Sequence, residues 1–206
     1  MNLFDFDNTE LETCGKDFLI GTDEAGRGPA AGGVWAAAVC FKKDIDKELF
    51  STLNDSKKLT PKRREALVNP IKENSFWSVK SIDIETIEKI NILNASLLAM
   101  KCAVSEVIEQ TKSKNVLTLV DGNKLIKEFN YPQKYIIKGD SKSASVAAAS
   151  ILAKVTRDNY MNLIHNEFPC YDWKQNKGYL TKKHIEAIKL NGASKYHRMS
   201  FLKNII

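Results

Sequence analysis

Apolar runs between turn-forming residues predict strands in the first half of the chain. Residues 18–22 form a short apolar run that ends in a glycine-rich turn, and residues 34–41 follow directly after Gly32 and Gly33. The valine, tryptophan and phenylalanine at 34–41 favour a strand, although the three consecutive alanines also fit a helix. We expect these two strands to pair through the turn between them, and residues 76–82 to form a third strand.

Helical periodicity appears in the segments between and after these strands. Apolar residues three or four apart predict one long helix over 84–110, with its apolar stripe against a sheet. Thr60 and Pro61 have the residue types preferred just before and at the first position of a helix. Small residues dominate 143–160, which predicts a helix that packs closely on a sheet, and 182–190 is a further predicted helix.

Acidic residues follow the ends of several predicted strands. Residues 116–120 form a buried-type strand that stops at Asp121, and a strand over 134–138 stops just before Gly139 and Asp140. In open α/β sheets, functional groups gather at the carboxyl ends of the strands. The acids in such positions are Asp23, Glu24, Asp121 and Asp140. The pattern predicts an α/β fold in which helices pack on a sheet, with a site at the carboxyl ends of its strands.

Each of these acids also has a simpler interpretation. Asp23 and Glu24 could be ordinary turn residues, Asp121 precedes a glycine as turn acids do, and Asp140 could cap the following helix. Four acids at strand ends together favour catalysis. Clustered carboxylates raise each other's pKa unless cations neutralise them, which indicates a divalent metal site. Mg²⁺ or Mn²⁺ suits an all-oxygen set, and two ions about 3.5–4 Å apart could support phosphodiester hydrolysis.

Composition narrows the class of protein. The chain has 206 residues and a net charge of +6, which fits one domain over 1–206 and a polyanionic partner. The four cysteines are widely separated and the three histidines form no short ligand pair, so a reduced protein without a zinc site is expected. Residues 1–17 read as a short leader without signal-peptide character, and the longest apolar run, 34–41, is too short to cross a membrane. We expect a cytoplasmic monomer that does not bind membranes.

Several blocks of the sequence, in order, resemble ribonuclease HII, the bacterial type 2 ribonuclease H. The similarity extends from about residue 18 to 201. The blocks are DEAGRGP at 23–29, NDSKKL at 54–59, LVDGN at 119–123, KGD at 138–140, AAASILAKVTRD at 147–158 and KGY at 177–179.

The resemblance implies an RNase H-like fold with a mixed five-stranded sheet and a helical C-terminal portion at about 165–206. It also implies an endonuclease that hydrolyses the RNA strand of RNA–DNA hybrids and incises 5′ of single ribonucleotides embedded in duplex DNA. Such an activity serves ribonucleotide excision repair and primer removal during DNA replication. The products would carry 5′-phosphate and 3′-hydroxyl ends.

The family's site residues can be placed on matching positions. Its metal-binding and catalytic acids fall on the same four residues that the strand ends indicate, Asp23, Glu24, Asp121 and Asp140. Its substrate-binding residues fall on Gly26, Arg27, Gly28 and Tyr179, and its phosphate contacts on Lys57, Lys58, Lys142 and Lys177. Taken alone, the tyrosine would be an ordinary core or surface aromatic. Glycines can admit a ribose 2′-hydroxyl, and an aromatic ring can stack on the adjoining sugar.

Some features keep two interpretations. The basic run at 62–64 is either a solvated helix face or a phosphate-facing surface. His197 and Arg198 are expected to pack or contact backbone, and the apolar end at 201–206 to dock onto its own domain. Two rival functions share these features: another two-metal nuclease or DNA-strand transferase, and a nucleic-acid-binding module with an inactive site.

Overall fold

A mixed sheet forms the centre of the molecule. The computed structural model describes residues 2–53, 56 and 59–205. Its strands are β1 (Phe18–Ala25), β2 (Val34–Phe41), β3 (Ser75–Ile82), β4 (Val116–Asp121) and β5 (Gln133–Ile136). Within the described residues they form one five-stranded sheet in the order β3-β2-β1-β4-β5. β1, β2 and β3 pair antiparallel, and β4 pairs parallel with both β1 and β5. The mixed five-stranded sheet is confirmed.

Helices cover both faces of this sheet. They are α1 (Leu3–Cys14), α2 (Pro61–Glu73), α3 (Ile84–Ile90), α4 (Ile92–Thr111), α5 (Ala144–Glu167), α6 (Trp173–Asn176) and α7 (Lys182–Asn191). Successive side chains of β2 point to opposite faces of the sheet, as in any strand. Ala37 and Val39 pack in the cluster with α2 and α5, and Ala36 and Ala38 pack in the cluster with α4. The residues at 34–41 form a strand, and the small side chains at 36–38 let helices approach it from both sides.

The helix predicted over 84–110 is wrong in one respect, because it is broken into α3 and α4. Asn91 has φ +65°, and its side chain accepts a hydrogen bond from the Asn94 amide, so it caps α4. Asn tolerates positive φ better than most residues, and such a cap ends one helix and starts the next. The two helices are bent by 120°. No single described helix is long and apolar enough to span a membrane; α3 and α4 meet that test only as a bent pair, by length and composition.

Two other elements differ in extent from the prediction. β5 covers Gln133–Ile136 and not 134–138, because Lys138 adopts a left-handed conformation with φ +56° and leaves the sheet. α5 continues to Glu167, well beyond the predicted end at 160. The small-residue half of α5 packs on the sheet, and the added turns pack against the C-terminal portion.

The N-terminal segment, expected only as a short leader, contains helix α1. Asn2 and Asp5 form a capping box at its start, with the Asp5 amide 2.9 Å from Asn2 Oδ1. Asp7 is buried and accepts hydrogen bonds from the amide and hydroxyl of Ser145, at 2.9 and 2.8 Å. Burial raises the pKa of Asp7 to about 6. α1 is therefore attached to α5 and belongs to the folded domain.

The C-terminal portion docks onto its own domain, as expected, and the contact is with the end of α5. Ala31 and His197 form an isolated β-bridge, and Leu202 is completely buried beside Met161 of α5. Arg198 is also buried and donates to the carbonyls of Gly32 and Gly33, at 2.8 and 2.9 Å. The expected packing and backbone roles of His197 and Arg198 agree with these contacts.

Candidate active site

Two parallel strands carry acids to the same edge of the sheet. The parallel register pairs Thr22 of β1 with Val120 of β4, so Asp23 and Asp121 follow at the same level. Glu24 is the next residue of β1. Placing acids on adjacent strands in register is the simplest way to hold carboxylates together against their repulsion.

A tight turn after β5 carries the fourth acid to this edge. Asp140 is buried in a short 3-10 helix, Gly139–Ser141, and the amide of Gly139 donates to Asp121 Oδ1 at 2.7 Å. A Cβ at residue 139 would lie 2.6 Å from Ile136 Cγ2 and 3.1 Å from Asp121 Oδ1. Glycine is needed for this close approach, which sets the backbone of Asp140 beside Asp121.

The carboxylates at the edge interact electrostatically. Burial raises the pKa of Asp23 well above its usual value, and the charges of Glu24 and Asp121 raise it further. A hydrogen bond from Ser150 of α5 opposes this rise in the pKa of Asp23. Burial also raises the pKa of Glu24, against the attraction of Arg27. Crowded carboxylates of this kind are less easily charged, and a nearby cation favours their charged forms.

A narrow cleft opens in front of these acids. It is lined in part by Glu24, Arg27 and Asp121, and by Asn123 and Lys124 after β4. Arg27 Nη1 lies 3.2 Å from Glu24 Oε1, and the arginine side chain is 47% exposed while that of Glu24 is 14% exposed. Among the described residues, no group of three His, Cys, Asp or Glu side chains is arranged to hold a metal ion as it stands. Arg27 is the cation that Glu24 pairs with.

The glycine-rich loop after β1 is shaped around a buried arginine. Gly26 has φ +104°, and a Cβ there would lie 2.3 Å from Nε of Arg157 on α5. Arg157 donates through Nη1 to the Lys177 carbonyl and through Nη2 to the Ala31 carbonyl, both at 3.0 Å. This one side chain therefore joins the Gly26–Gly28 loop to the segment that carries Tyr179.

The predicted recognition residues meet across that junction. A Cβ on Gly28 would lie 3.2 Å from Cε1 of Tyr179, so the bare glycine lets the ring approach the loop. The Tyr179 ring remains 50% exposed. Gly26, Arg27, Gly28 and Tyr179 thus form one surface beside Glu24.

Sequence reasoning missed the role of Arg157. Arg157 is 1% exposed, and its guanidinium donates to backbone carbonyls at 3.0 Å. Burial lowers its pKa. The available signal was an arginine continuing a helix of small, buried residues, a position where a solvated charge is out of place.

The structure separates the predicted lysine contacts. Lys142 is exposed after the Asp140 turn, and Lys177 is half-buried with Nζ 2.5 Å from Asn162 Oδ1. Lys57 and Lys58 lie outside the described residues. In the basic run at 62–64, Arg64 turns inward and donates to the Ser56 and Leu59 carbonyls, both at 2.6 Å. That buried arginine therefore bonds to backbone ahead of α2, unlike the exposed Lys62 and Arg63.

The comparisons with known proteins decide the family. Residues 20–204 match the family model described as Ribonuclease HII. The chain belongs to the ribonuclease HII family. A ribonuclease HII of Bacteroides fragilis is 53% identical over 182 residues, which cover 88% of this chain and 87% of that protein. Membership makes the chain a ribonuclease H, a metal-dependent endonuclease that acts on nucleic acid.

Solved structures support the ribonuclease HII fold. The Archaeoglobus fulgidus RNase HII in the PCNA:RNase HII complex has a TM-score of 0.71 and 25% identity, covering 89% of this chain and 94% of that one. Bst-RNase HIII in complex with Mn²⁺ has a TM-score of 0.68 at 16% identity, covering 92% of this chain and 68% of that one. The second similarity concerns the fold alone. Both agree with the RNase H-like fold predicted from the sequence.

Proposed function

We propose that this ribonuclease H cuts the RNA strand of RNA–DNA hybrids and incises 5′ of single ribonucleotides in duplex DNA. The observation that carries the proposal is that two groups of residues lie at the same edge of the sheet. One is the set of carboxylates, and the other is the surface formed by Gly26, Arg27, Gly28 and Tyr179. Glu24 pairs with Arg27, and the Gly28 backbone lies against Tyr179. A phosphodiester bound at the carboxylates would therefore place its neighbouring sugar against the glycine-rich loop after β1. We infer products with 5′-phosphate and 3′-hydroxyl ends, and a role in ribonucleotide removal from DNA.

Divalent metal fits the donor set of this site. Asp23, Glu24, Asp121 and Asp140 are proposed to hold Mg²⁺ or Mn²⁺, two ions in the full catalytic assembly, because hard cations prefer carboxylate oxygens and relieve their repulsion. When bound, such ions activate water and stabilise charge on the leaving oxygen. Glu24 would exchange its Arg27 partner for the metal, which frees the guanidinium for the substrate backbone.

The residues around the acids perform the recognition. Without side chains at 26 and 28, the backbone of the loop can approach the 2′-hydroxyl, the local group that distinguishes RNA from DNA. Tyr179 offers a half-exposed ring for stacking on the adjoining deoxyribose. Arg157 holds the two elements in register through the Ala31 and Lys177 carbonyls.

A basic groove beside Tyr179 extends this surface. The groove has a volume of about 470 Å³ and lies between α2, α5 and α6. Its lining carries four cations and two acids, and the acid on α5 lies 2.7 Å from Lys154 Nζ: Arg64, Lys154, Lys174, Lys177, Glu65 and Asp158. Burial lowers the pKa of Lys177, and the charges of Lys154, Arg157 and Lys174 add to this against Asp158. Because the cations of the groove outnumber its acids, we propose that a duplex backbone passes along it.

Replacing the exposed Lys174 with Gln should weaken substrate binding mainly through salt-dependent attraction. Removing one phosphate contact reduces the slope of log Kd against log salt concentration by about 0.9 for B-form DNA. We expect a reduction of that size, a higher KM and little change in kcat. Filter binding at several salt concentrations, with steady-state kinetics, measures these quantities.

Lys114→Gln is the matched control, because Lys114 is exposed just before β4, at the opposite end of that strand from Asp121. Equal slopes for the Lys174 variant, the control and the unaltered chain would remove the groove from the substrate path.

The decisive experiment compares three labelled substrates: a duplex with one ribonucleotide, a long RNA–DNA hybrid and an all-DNA duplex. With Mn²⁺ or Mg²⁺ we expect a single nick 5′ of the ribonucleotide and no cut in DNA, and no product with chelator. Tyr179→Ala should reduce junction cleavage about tenfold, equivalent to about 1.4 kcal/mol of transition-state stabilisation lost with the sugar contact. Its half-maximal metal concentration should stay near that of the unaltered chain.

Other outcomes identify the rivals. Cutting of all-DNA duplex would indicate a different nuclease or a strand transferase, and hybrid binding without metal-dependent cleavage would indicate a binding module. Undiminished junction cleavage by Tyr179→Ala would exclude the ring from recognition. We retain the predictions of a cytoplasmic monomer.

A further inference from the structure

Two buried histidines lie behind Tyr179, outside the acids and the glycine-rich loop. His184 is in the first turn of α7, and His197 is in the β-bridge with Ala31. Their exposures are 0% and 2%. The two Nε2 atoms are 3.1 Å apart, and Trp173 and Tyr171 pack against both rings. A buried pair of imidazoles in hydrogen-bond contact must divide the donor and acceptor roles between them.

The neighbours of His197 fix its protonation. The Ser194 backbone amide lies 2.9 Å from His197 Nδ1, and an amide N–H can only donate. His197 Nδ1 is therefore an acceptor without a proton. The proton of the neutral ring must be on Nε2, which faces His184.

The neighbours of His184 fix the opposite arrangement. The indole Nε1 of Trp173, a donor only, lies 3.1 Å from His184 Nε2. That nitrogen accepts from both Trp173 and His197, which share its lone pair. The proton of His184 is then on Nδ1, 2.9 Å from the carbonyl oxygen of Tyr179. The hydrogen bonds thus run in one direction: Ser194 donates to His197, His197 donates to His184, and His184 donates to the Tyr179 carbonyl.

Charging either ring would place two N–H groups against each other along this series. Burial lowers the pKa of His184, and burial followed by the charge of His184 lowers the pKa of His197 to about 4. Both shifts favour the neutral rings that the hydrogen bonds require near pH 7.

We propose that His184 and His197 form a relay of neutral imidazoles that positions Tyr179 for substrate contact. The Tyr179 carbonyl accepts from His184 Nδ1 and from the Thr181 amide, both at 2.9 Å, and the Tyr179 amide donates to the Asn176 carbonyl at 2.9 Å. The backbone is thus held on both sides while the ring stays exposed. The histidines are positioning residues, and the inference rests on the proposed substrate role of Tyr179.

Nitrogen-15 NMR of the full chain at about pH 7 tests the relay without any substitution. We expect His184 to be protonated on Nδ1 alone and His197 on Nε2 alone. His165, which lies on α5 outside the pair, supplies a reference imidazole spectrum from the same sample. A doubly protonated ring, or His184 protonated on Nε2, would overturn the relay. This result does not depend on the substrate of the enzyme.

Cleavage by substituted chains tests the positioning role. His184→Leu should lower the ratio of junction cleavage to long-hybrid cleavage about five- to tenfold, the scale of one hydrogen bond removed. His184→Gln can both donate and accept, so it should recover part of that ratio. His165→Leu is the matched control and should leave the ratio unchanged. An equal loss on both substrates in His184→Leu would show a structural role only.

A double substitution separates action through Tyr179 from an independent effect. If His184 acts by positioning the tyrosine, adding His184→Leu to Tyr179→Ala should change the junction-to-hybrid ratio less than twofold, because contacting residues that share one role are not additive. If the fold-loss of the double variant equalled the product of the two single-variant losses, His184 would act independently of Tyr179 and the positioning role would be contradicted. If the unaltered chain cuts hybrid but no junction, the proposed specificity fails, and the NMR result still decides the relay.

Discussion

Asp23→Asn should remove ribonuclease activity and stabilise the metal-free protein. Asp23 is buried between Glu24 and Asp121, and each neighbouring charge raises its pKa. The substitution removes one negative ligand from the set proposed to hold divalent metal. Substituting a residue that only supports a metal ligand typically lowers activity by roughly 10- to 100-fold. We expect a larger fall in kcat here, because Asp23 is itself a proposed ligand. Single-turnover cleavage of a junction substrate, with metal titrated, measures the loss.

The stability half of this prediction follows from the cost of a buried charge. Asn is neutral, and its side-chain oxygen can keep the 2.7 Å contact that Asp23 Oδ1 makes with the Glu24 amide. Repulsion from Glu24 and Asp121 disappears. With chelator near pH 7 we expect unfolding free energy to rise by about 0.5–2 kcal/mol, the usual range for a stabilising substitution. Urea unfolding measured with chelator and then with metal would show the gain reversing.

Asp17→Asn is the matched control, since Asp17 is exposed just before β1, at the other end of the strand that carries Asp23. It should change neither activity nor stability appreciably. Full metal-dependent cleavage by Asp23→Asn would refute its place in the ligand set. Lower stability in chelator would show that the acid is held by favourable contacts stronger than the repulsion.

The sequence predicted most of the scaffold because its signals are local. Strand β2 matches the predicted 34–41 because glycines bound a run of small and β-branched residues. Thr60 caps α2 as expected, with its hydroxyl accepting from the Arg63 amide. Asp23, Glu24 and Asp121 could be placed at one edge because buried apolar strands end at them, whereas Asp140 follows β5, whose side chains are partly exposed.

The remaining features depend on partners that are distant in sequence. Arg157 donates through Nη1 and Nη2 to the carbonyls of Lys177 and Ala31, 20 and 126 residues away, and no local pattern indicates such partners. The break at Asn91 was missed because the apolar spacing continues across it. The burial of Asp7 was missed because its hydrogen-bond partner, Ser145, is 138 residues away in the sequence.

These missed residues share a physical role, which is to hold irregular backbone near the site. Arg157 and Arg198 donate to carbonyls of the Ala31–Gly33 segment, which lies between the acids of β1 and strand β2. Carbonyls in such a segment lack the ladder partners that strands provide, and leaving them buried and unpaired costs about 1–3 kcal/mol each. A buried guanidinium satisfies several at once. The recognition loop can therefore be irregular in shape and still fixed in position.

The close packing of α5 on β1 is essential to both the fold and the site. Gly21 lies in the middle of β1, and a Cβ there would be 2.3 Å from the carbonyl carbon of Ser145 and from the amide nitrogen of Val146. Both atoms are backbone, so no side-chain rotation relieves the clash. Gly21→Ala would require α5 to move away by about 1 Å to reach ordinary contact. The same helix carries Ser150, which bonds Asp23, and Arg157, which shapes the loop.

Gly21→Ala should therefore lower unfolding free energy by about 3 kcal/mol or more, at or above the upper end for an overpacked core. Residual activity should also fall, because α5 sets the positions of Asp23 and the Gly26 loop. Gly192→Ala is the matched control: its φ of +77° and ψ of −176° add strain of about 1–3 kcal/mol, but open space surrounds its Cβ. Urea unfolding of both variants separates steric displacement from backbone strain. A loss for Gly21→Ala no larger than the strain cost of Gly192→Ala would mean that α5 can move away from β1 at small cost, and the site would not depend on their close contact.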